Sequence, residues 1–287
     1  MSNNSNNSNN SNNASNAAQA GVGVGGFLPD RVDLPFSTEP NPGAPPATIG
    51  EVQTTLPTRF PDRNWAPDFF AWVVLADYAR ANTSPVVITT PVPTGAIAKG
   101  QLDDLVTAAQ TERPDAMGEI LAQDHSVLEY FLGLLMATPA SHPATFRLMH
   151  IALIVALFEV MPIKHETGLP RPSQRVPALL PPIPVPGHAS FPSGHATQAH
   201  LVARCLGEVF NAPNTPGNEM IHNLDILAKR IARNREIAGL HHASDSEAGF
   251  ELAGKLHARL QALPVPIGEA KSRYAATVEK AQMEWTV

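Results

Sequence analysis

Three separated segments of the sequence carry basic side chains or imidazoles close to predicted helix ends. The first segment places Lys164 at the end of an apolar stretch and Arg171 seven residues later. Removing a cation from water beside apolar residues is costly unless an anion compensates its charge. A Lys at a helix C-terminus also interacts well with the helix dipole. Taken alone, this segment is compatible with an anion site or with an ordinary helix end.

The second segment reads Phe-Pro-Ser-Gly-His-Ala-Thr and precedes an amphipathic stretch. Pro192 and Gly194 predict a tight turn, and the helix N-terminus after it offers unpaired N–H groups that favour an anion. Ser193 could equally be no more than an N-cap residue. His195 falls in the first helical turn on the stripe that faces the core, an awkward place for a purely structural imidazole.

The third segment contains an Arg, two His and an Asp. Arg235 lies on the inward stripe of a helix predicted over 219–237, where an unpaired guanidinium would be costly. His241 and Asp245 are four residues apart, so on one helix they can touch. A carboxylate on one imidazole nitrogen fixes the tautomer and leaves the other nitrogen as a nucleophile or ligand. The alternative is a surface His/Asp pair without a chemical role.

Together the three segments resemble one known signature. Lys-x6-Arg-Pro, Pro-Ser-Gly-His and Arg-x5-His-x3-Asp follow one another between Lys164 and Asp245, over about a third of the chain. This series is similar to the signature shared by type 2 phosphatidic acid phosphatases, bacterial nonspecific acid phosphatases and vanadium-dependent haloperoxidases. One departure is Asn234, where these proteins usually have Ser.

The resemblance implies a site for a tetrahedral oxyanion, phosphate or vanadate. Lys164, Arg171 and Arg235 would neutralise its oxygens, and planar guanidinium groups suit contacts through two N–H groups. The Ser193 hydroxyl and the Gly194 N–H would complete the cradle.

The resemblance also implies roles for the imidazoles. His241 would be the nucleophile that accepts the phosphoryl group in a phosphatase, or the vanadium ligand in a haloperoxidase. Asp245 would orient His241. His195 would protonate the leaving group, or would contact the apical oxygen of vanadate.

The segment before the central motif separates these two activities. Pro186–Gln198 resembles the Pro-rich approach and the His-Ala-Thr-Gln ending of vanadium bromoperoxidases, and it places His188 five residues before Ser193. His188 could modulate bound peroxide or be an ordinary polar loop residue. Against this interpretation, haloperoxidases are usually longer chains, and His242 stands where a Trp is common among them.

We therefore predict a haloperoxidase-like enzyme that binds vanadate as cofactor and oxidises halide with hydrogen peroxide. The alternative is a metal-independent acid phosphatase that hydrolyses a phosphomonoester or lipid phosphate through a phosphohistidine and needs no cofactor. A third hypothesis is a bundle that binds phosphate or a partner without catalysis.

The hydrophobic pattern predicts an all-α protein, a single helical bundle with a Pro-rich arm and a long Pro-rich connector over 170–192. We expect a disordered Asn/Ser-rich tail over 1–26, an extended arm over 27–60 and the helical domain over 61–287. Helices are predicted from near Pro67, over 115–136 and 144–160, from about Ser193, over 219–237 and from near His241.

Composition limits the partners and the location. A net charge of -6 argues against nonspecific nucleic-acid binding. The longest apolar stretch, Leu148 to Ile163, is shorter than the roughly twenty residues that span a bilayer. With no recognisable signal peptide, we expect a soluble, cytoplasmic protein without a transmembrane segment. Cys205 is the single cysteine and is predicted to be buried. A homodimer is an open alternative to a monomer.

Overall fold

The computed structural model describes residues 60–213, 215 and 217–286, and over these residues the protein consists of helices and connecting loops, without a strand. The all-α prediction is therefore confirmed. The predicted tail over 1–26 and all but the last residue of the predicted arm over 27–60 lie outside the described residues.

The α-helices are numbered in chain order. They are α1 Pro67–Ala81, α2 Gly95–Thr111, α3 Arg113–His125, α4 Val127–Leu135, α5 Pro143–Thr167, α6 Pro172–Arg175, α7 Gly194–Phe210, α8 Gly217–Ile237, α9 Ala243–Gln261 and α10 Arg273–Met283. Two short 3-10 helices lie at Asp62–Asn64 and Pro177–Leu179.

Helix α7 is the centre of the bundle. It packs against α5, α8, α9 and α10, and eleven of its residues are buried. Its buried side chains include Val202, Leu206 and Val209, whose spacing gives one apolar stripe, while small residues such as Ala199 and Ala203 let the neighbouring helices approach. The N-terminus of α7 therefore lies inside the protein, where several helices meet.

Helix α5 is the longest helix among the described residues. It runs seven residues past the predicted end at 160 and includes Pro162. It ends at Gly168, whose φ of 57° lies in the left-handed region that glycine adopts without a steric penalty. At its other end, the Glu284 carboxylate accepts hydrogen bonds from the backbone N–H groups of Ala144 (2.7 Å) and Thr145 (2.9 Å). The C-terminal segment thus supplies the cap that α5 lacks in its own sequence.

The prediction that the chain has no segment able to span a membrane is wrong. The helical stretch Pro143–Arg175 is long and apolar enough to cross a bilayer by length and composition, with a mean hydropathy of 1.9 in its most apolar part. The sequence count stopped at the charged residues Arg147 and Lys164, yet both side chains are buried and the helix continues through them. About half of that apolar part, 56%, is buried inside the protein.

Other differences concern short and amphipathic helices. The predicted helix over 115–136 is two helices, because Ser126 interrupts it and its hydroxyl caps α4 by accepting from the N–H of Glu129. Helices α2 and α10 were not predicted. Trp72 is 57% exposed and Trp65 38%, so neither tryptophan belongs to the core. Cys205 is buried as predicted.

Candidate active site

Three buried cations from different helices line one cavity. Lys164 lies in the last turn of α5, Arg171 precedes α6, and Arg235 lies in the last turn of α8. Each is only 1% exposed. The cavity, called here the α7 cavity, encloses about 50 Å³. One buried water needs roughly 10 to 15 Å³, so the volume suits a tetrahedral anion with four oxygens. The lining residues from the three predicted segments are Lys164, Arg171, His188, Gly194, His195, Arg235 and His241.

The start of α7 forms one wall of the cavity. Gly194 and His195 are the first two residues of the helix and both line the cavity. Ser193 is the N-cap, and its hydroxyl accepts a hydrogen bond from the N–H of Ala196 at 3.3 Å. Ser193 is fully buried and is not among the lining residues. In this structure its hydroxyl therefore has the capping role that the sequence left open.

His241 and Asp245 form a buried pair. The Nδ1 atom of His241 lies 3.0 Å from Oδ2 of Asp245, and its Nε2 atom lies 3.2 Å from a terminal nitrogen of Arg171. Because Arg171 can only donate, Nε2 must be the acceptor and Nδ1 must carry the proton. His241 is thus held as a neutral imidazole with the lone pair of Nε2 directed towards the cations. Asp245 lies behind the imidazole and does not line the cavity.

The guanidinium of Arg171 is fixed by several acceptors. Its Nε donates to the carbonyl of His188 at 3.1 Å, and one terminal nitrogen donates to the carbonyl of Leu240 at 3.1 Å. The other terminal nitrogen lies 3.1 Å from Nδ1 of His188. His188 is therefore a neighbour of the cation as well as a residue of the cavity wall. Arg171 joins the Pro-rich connector to the turn that carries His241.

The guanidinium of Arg235 has fewer hydrogen-bond partners than that of Arg171 among the described residues. One terminal nitrogen donates to Asp124 at 3.3 Å, and its Nε is buried without a hydrogen-bond partner among the described residues. A buried donor without a partner is costly, and an anion in the cavity is one group that could satisfy it.

The three cations lining the cavity destabilise one another. Loss of solvent, together with the charge of Arg235, lowers the pKa of Arg171 to about 9. Loss of solvent and the charges of Arg171 and Arg235 lower the pKa of Lys164 well below its ordinary value. The ammonium group is held by the carbonyls of Ala189 (2.8 Å) and Ser190 (2.7 Å). A bound anion would reverse these shifts, so the site favours negative charge.

The imidazoles respond to the same field. Loss of solvent and the charge of Arg235 lower the pKa of His195 well below its ordinary value. Loss of solvent and the charge of Arg171 do the same to the pKa of His241. The pKa of His188 falls to about 4 through loss of solvent and the charges of Lys164 and Arg171. All three rings are therefore neutral near pH 7 while the cavity holds no anion.

Asp124 and Ser190 contact the predicted residues but lie outside the predicted set. Asp124, in the last turn of α3, lines the cavity beside Arg235. Nothing in its sequence neighbourhood distinguishes it from any charged residue at a helix end. Ser190 is fully buried and donates to Asp245 Oδ2 at 2.5 Å. In the sequence, only the position of Ser190 three residues before Ser193 could have indicated a role in the site. A serine in a Pro-rich loop belongs to no periodic pattern that would distinguish it from other loop residues.

Helix α9, which follows His241, packs closely against the start of α7, which carries His195. A methyl group at Gly249 would lie 2.8 Å from Cβ of Ala196 and 2.9 Å from the carbonyl oxygen of Ser193. The N–H of Ser193 donates to the carbonyl of Asp245 at 2.9 Å. Only glycine lets the two backbones come this close, and the contact holds the start of α9 against the start of α7.

Comparison with known proteins adds little to this geometry. No protein-family model matches the chain, and no curated protein matches it. Among solved structures, the chain is similar to a transmembrane PAP2-type phosphatidylglycerolphosphate phosphatase from Bacillus subtilis. The two are 18% identical with a TM-score of 0.45, over 67% of this chain and 92% of that chain. That protein is of the PAP2 type, the superfamily that the three motifs resemble. The comparison contains no counterpart of the bromoperoxidase-like detail.

The predicted cytoplasmic location rested on the absence of a membrane-spanning segment, and that premise is wrong. Among the described residues, one helical stretch is long and apolar enough to cross a bilayer. The sequence argument relied on the length of one apolar run between charged residues, and the fold shows that those charges do not interrupt the helix.

Proposed function

We propose that this protein is a phosphatase that hydrolyses phosphomonoesters through a phosphohistidine intermediate on His241. The observation that carries the proposal is the convergence of Lys164, Arg171 and Arg235 on a cavity into which His241 presents the lone pair of Nε2. The cations supply the charge that Mg²⁺ supplies in other phosphoryl-transfer sites. The PAP2-type structural neighbour agrees with this class of reaction and carries no argument about substrate.

His241 is the nucleophile in this proposal. Its Nε2 attacks phosphorus, and the bond from phosphorus to the ester oxygen breaks on the opposite side. As the phosphoryl group approaches, the nitrogen of Arg171 that now lies on Nε2 can transfer its hydrogen bond to a phosphoryl oxygen. Asp245 keeps the proton on Nδ1 and stabilises the positive charge that develops on the ring.

His195 is the general acid. Its imidazole is neutral in the empty cavity, and a bound phosphate dianion offsets Arg235 and Arg171 and thereby raises its pKa. The protonated ring can then give its proton to the departing alkoxide. In the second step the neutral ring accepts a proton from the water that attacks the phosphohistidine, which releases phosphate and restores His241.

The remaining wall of the cavity suits an apolar alcohol. The side of α5 that faces the cavity presents Leu153, Leu157, Val160 and Met161. Leu157 and Met161 are partly exposed and mark the side from which an ester group can enter. We therefore propose that preferred substrates carry an aryl or alkyl group on the phosphate.

Hydrolysis of p-nitrophenyl phosphate and trapping of a phosphoenzyme test the proposal. The wild-type protein should release p-nitrophenol, be inhibited by orthovanadate and give an acid-labile, base-stable phosphoprotein. His241→Ala should lose both signals. His165→Ala, an exposed imidazole next to Lys164, is the matched control and should retain them. A protein that binds phosphate tightly without turnover or phosphoenzyme would instead support the hypothesis of a binding module.

His188 favours one second candidate, vanadate-dependent halide oxidation. It lines the cavity and contacts Arg171, where it could hydrogen-bond a small ligand beside the anion. Nε2 of His241 would bind vanadium, and Lys164, Arg171 and Arg235 would surround the vanadate oxygens. When bound, vanadate supplies the activation of hydrogen peroxide. Bromination of a phenol indicator by the vanadate-treated protein, lost in His188→Ala with phosphatase activity retained, would support this candidate over the first.

A further inference from the structure

Ser190 connects the three segments that form the site. It lies in the loop before α7 and is fully buried. Its N–H donates to the carbonyl of Leu169 at 2.8 Å, and its own carbonyl accepts from Nζ of Lys164 at 2.7 Å. Its hydroxyl donates to Oδ2 of Asp245 at 2.5 Å. One residue thus contacts the end of the first segment, its cation and the carboxylate of the third.

The orientation of Asp245 depends on a single oxygen. Oδ2 accepts from Ser190 Oγ, from Nδ1 of His241 (3.0 Å) and from the N–H of His242 (3.1 Å). Oδ1 is buried and has no hydrogen-bond partner among the described residues. The two histidines belong to the same turn as Asp245, so they move with it. Of the three residues that donate to Oδ2 in the described part of the chain, only Ser190 comes from another segment.

We propose that Ser190 is a positioning residue for the His241–Asp245 pair, fixing Oδ2 against Nδ1 of the nucleophile while its carbonyl fixes Lys164. The expected loss of activity rests on the proposed function. The expected change in the position of Asp245 and His241 rests on the hydrogen bonds alone. Ser190 touches no substrate and acts through the other two residues.

Loss of the hydroxyl has two consequences. Oδ2 of Asp245 keeps the two donors of its own turn and loses the one from another segment, so it is held less firmly against Nδ1 of His241. The charge of Asp245 is also less dispersed, so it attracts a proton on His241 more strongly. The other charged or titratable groups that act on this ring are Arg171 and Lys164, which oppose its protonation, and His195 across the cavity.

The test compares Ser190→Ala with wild type in two ways. For p-nitrophenyl phosphate, kcat should fall about 10- to 100-fold, the range for loss of a residue that orients a functional imidazole. The acid limb of the kcat/KM profile should move to higher pH. By ¹⁵N NMR, the signals of Nδ1 and Nε2 of His241 should shift, because the hydrogen bond from Nδ1 to Oδ2 changes while Arg171 still donates to Nε2. Sulfate affinity should change less than threefold.

Matched variants separate positioning from stability. Ser246→Ala removes a buried hydroxyl one residue after Asp245 that has no hydrogen-bond partner among the described residues, and it should leave kcat and the NMR shifts unchanged. Ser190→Thr keeps the hydroxyl and should recover most of the activity. If Ser190→Ala is too unstable to measure, Ser190→Cys, a weaker donor, replaces it with the same expectation.

The outcomes are distinguishable. An unchanged His241 spectrum in Ser190→Ala would overturn the proposal, and so would a fall in kcat accompanied only by a lower Tm, with the acid limb unmoved. If wild type proves inactive while the NMR change still occurs, the proposed function fails and the positioning role stands.

Discussion

The empty and the anion-filled α7 cavity should hold different numbers of protons. In the empty cavity, loss of solvent and the charges of Arg235 and Arg171 hold the pKa of His195 well below its ordinary value. A bound dianion offsets these guanidinium charges, and the pKa of His195 rises. Binding is therefore accompanied by the uptake of a proton, and the anion should bind more tightly as the pH falls.

The magnitude follows from the number of protons. Consider a pH between the pKa of His195 in the free protein and its pKa in the anion complex. In this range one proton is taken up on binding, so the apparent association constant for the anion changes about tenfold per pH unit, or about 1.4 kcal/mol. The lower limit of this pH range is the pKa of His195 in the free protein, which lies below about 6.5, the ordinary value for histidine. We expect sulfate affinity to rise about tenfold between pH 7.5 and pH 6.5. Sulfate itself does not titrate in this range. Lys164, whose pKa is also lowered, should add proton uptake in the same direction.

Titration calorimetry with sulfate measures both quantities. Experiments in buffers of different ionisation enthalpy give the number of protons taken up, which should be close to one for wild type at pH 6.5 to 7.5. His195→Asn should abolish this uptake while retaining an anion site, and His165→Ala should behave as wild type. Equal uptake in His195→Asn and wild type, or none in either, would refute the reasoning.

Four further predictions follow from packing and charge. Gly249→Ala should lower the free energy of unfolding by about 1 to 3 kcal/mol and reduce kcat/KM. In Gly254→Ala, on the same helix, the new methyl group meets nothing closer than 3.6 Å and should not destabilise the protein. Glu284→Ala should lower the free energy of unfolding by about 0.5 to 2 kcal/mol, because α5 loses its cap. The control Glu279→Ala removes an exposed ion pair and should change the free energy of unfolding by no more than about 0.5 kcal/mol. Urea unfolding measures both changes. Asp124→Asn should lower Tm but raise sulfate affinity roughly tenfold, because one negative charge leaves the cavity wall. Since folding lowers the pKa of His188, His195 and His241, the unfolded chain binds more protons in acid, so Tm should fall as the pH drops below about 6.5 and sulfate should restore it.

More of the chemically active side chains could be predicted from the sequence than of the helix contacts that bring them together. Side-chain type and spacing placed His241 next to Asp245 and both near a helix start, although His241 lies in the turn before α9 and not on the helix itself. The same argument put Arg235 on an inward face, where it lies. These are local regularities, and local regularities are what a sequence displays directly.

Contacts between distant segments could not be predicted in this way. Asp124 reaches Arg235 across 111 residues, and Glu284 caps a helix that begins 141 residues earlier. Neither pair has a sequence pattern, since each depends on how helices pack. Helix α2 escaped notice because its buried side chains are small or widely spaced, with Ala98, Leu102, Leu105 and Ala108 giving a weak apolar stripe.

The central position of α7 has a consequence for hydrogen exchange. The N–H groups of Ala196 and Thr197, which bond to Ser193, belong to the most enclosed helix of the bundle. Local opening there would require α5, α8 and α9 to separate, so these amides should exchange with solvent only through global unfolding. The first turn of the reactive site would then be among the last parts of the chain to lose protection, and its geometry would be set before any ligand arrives.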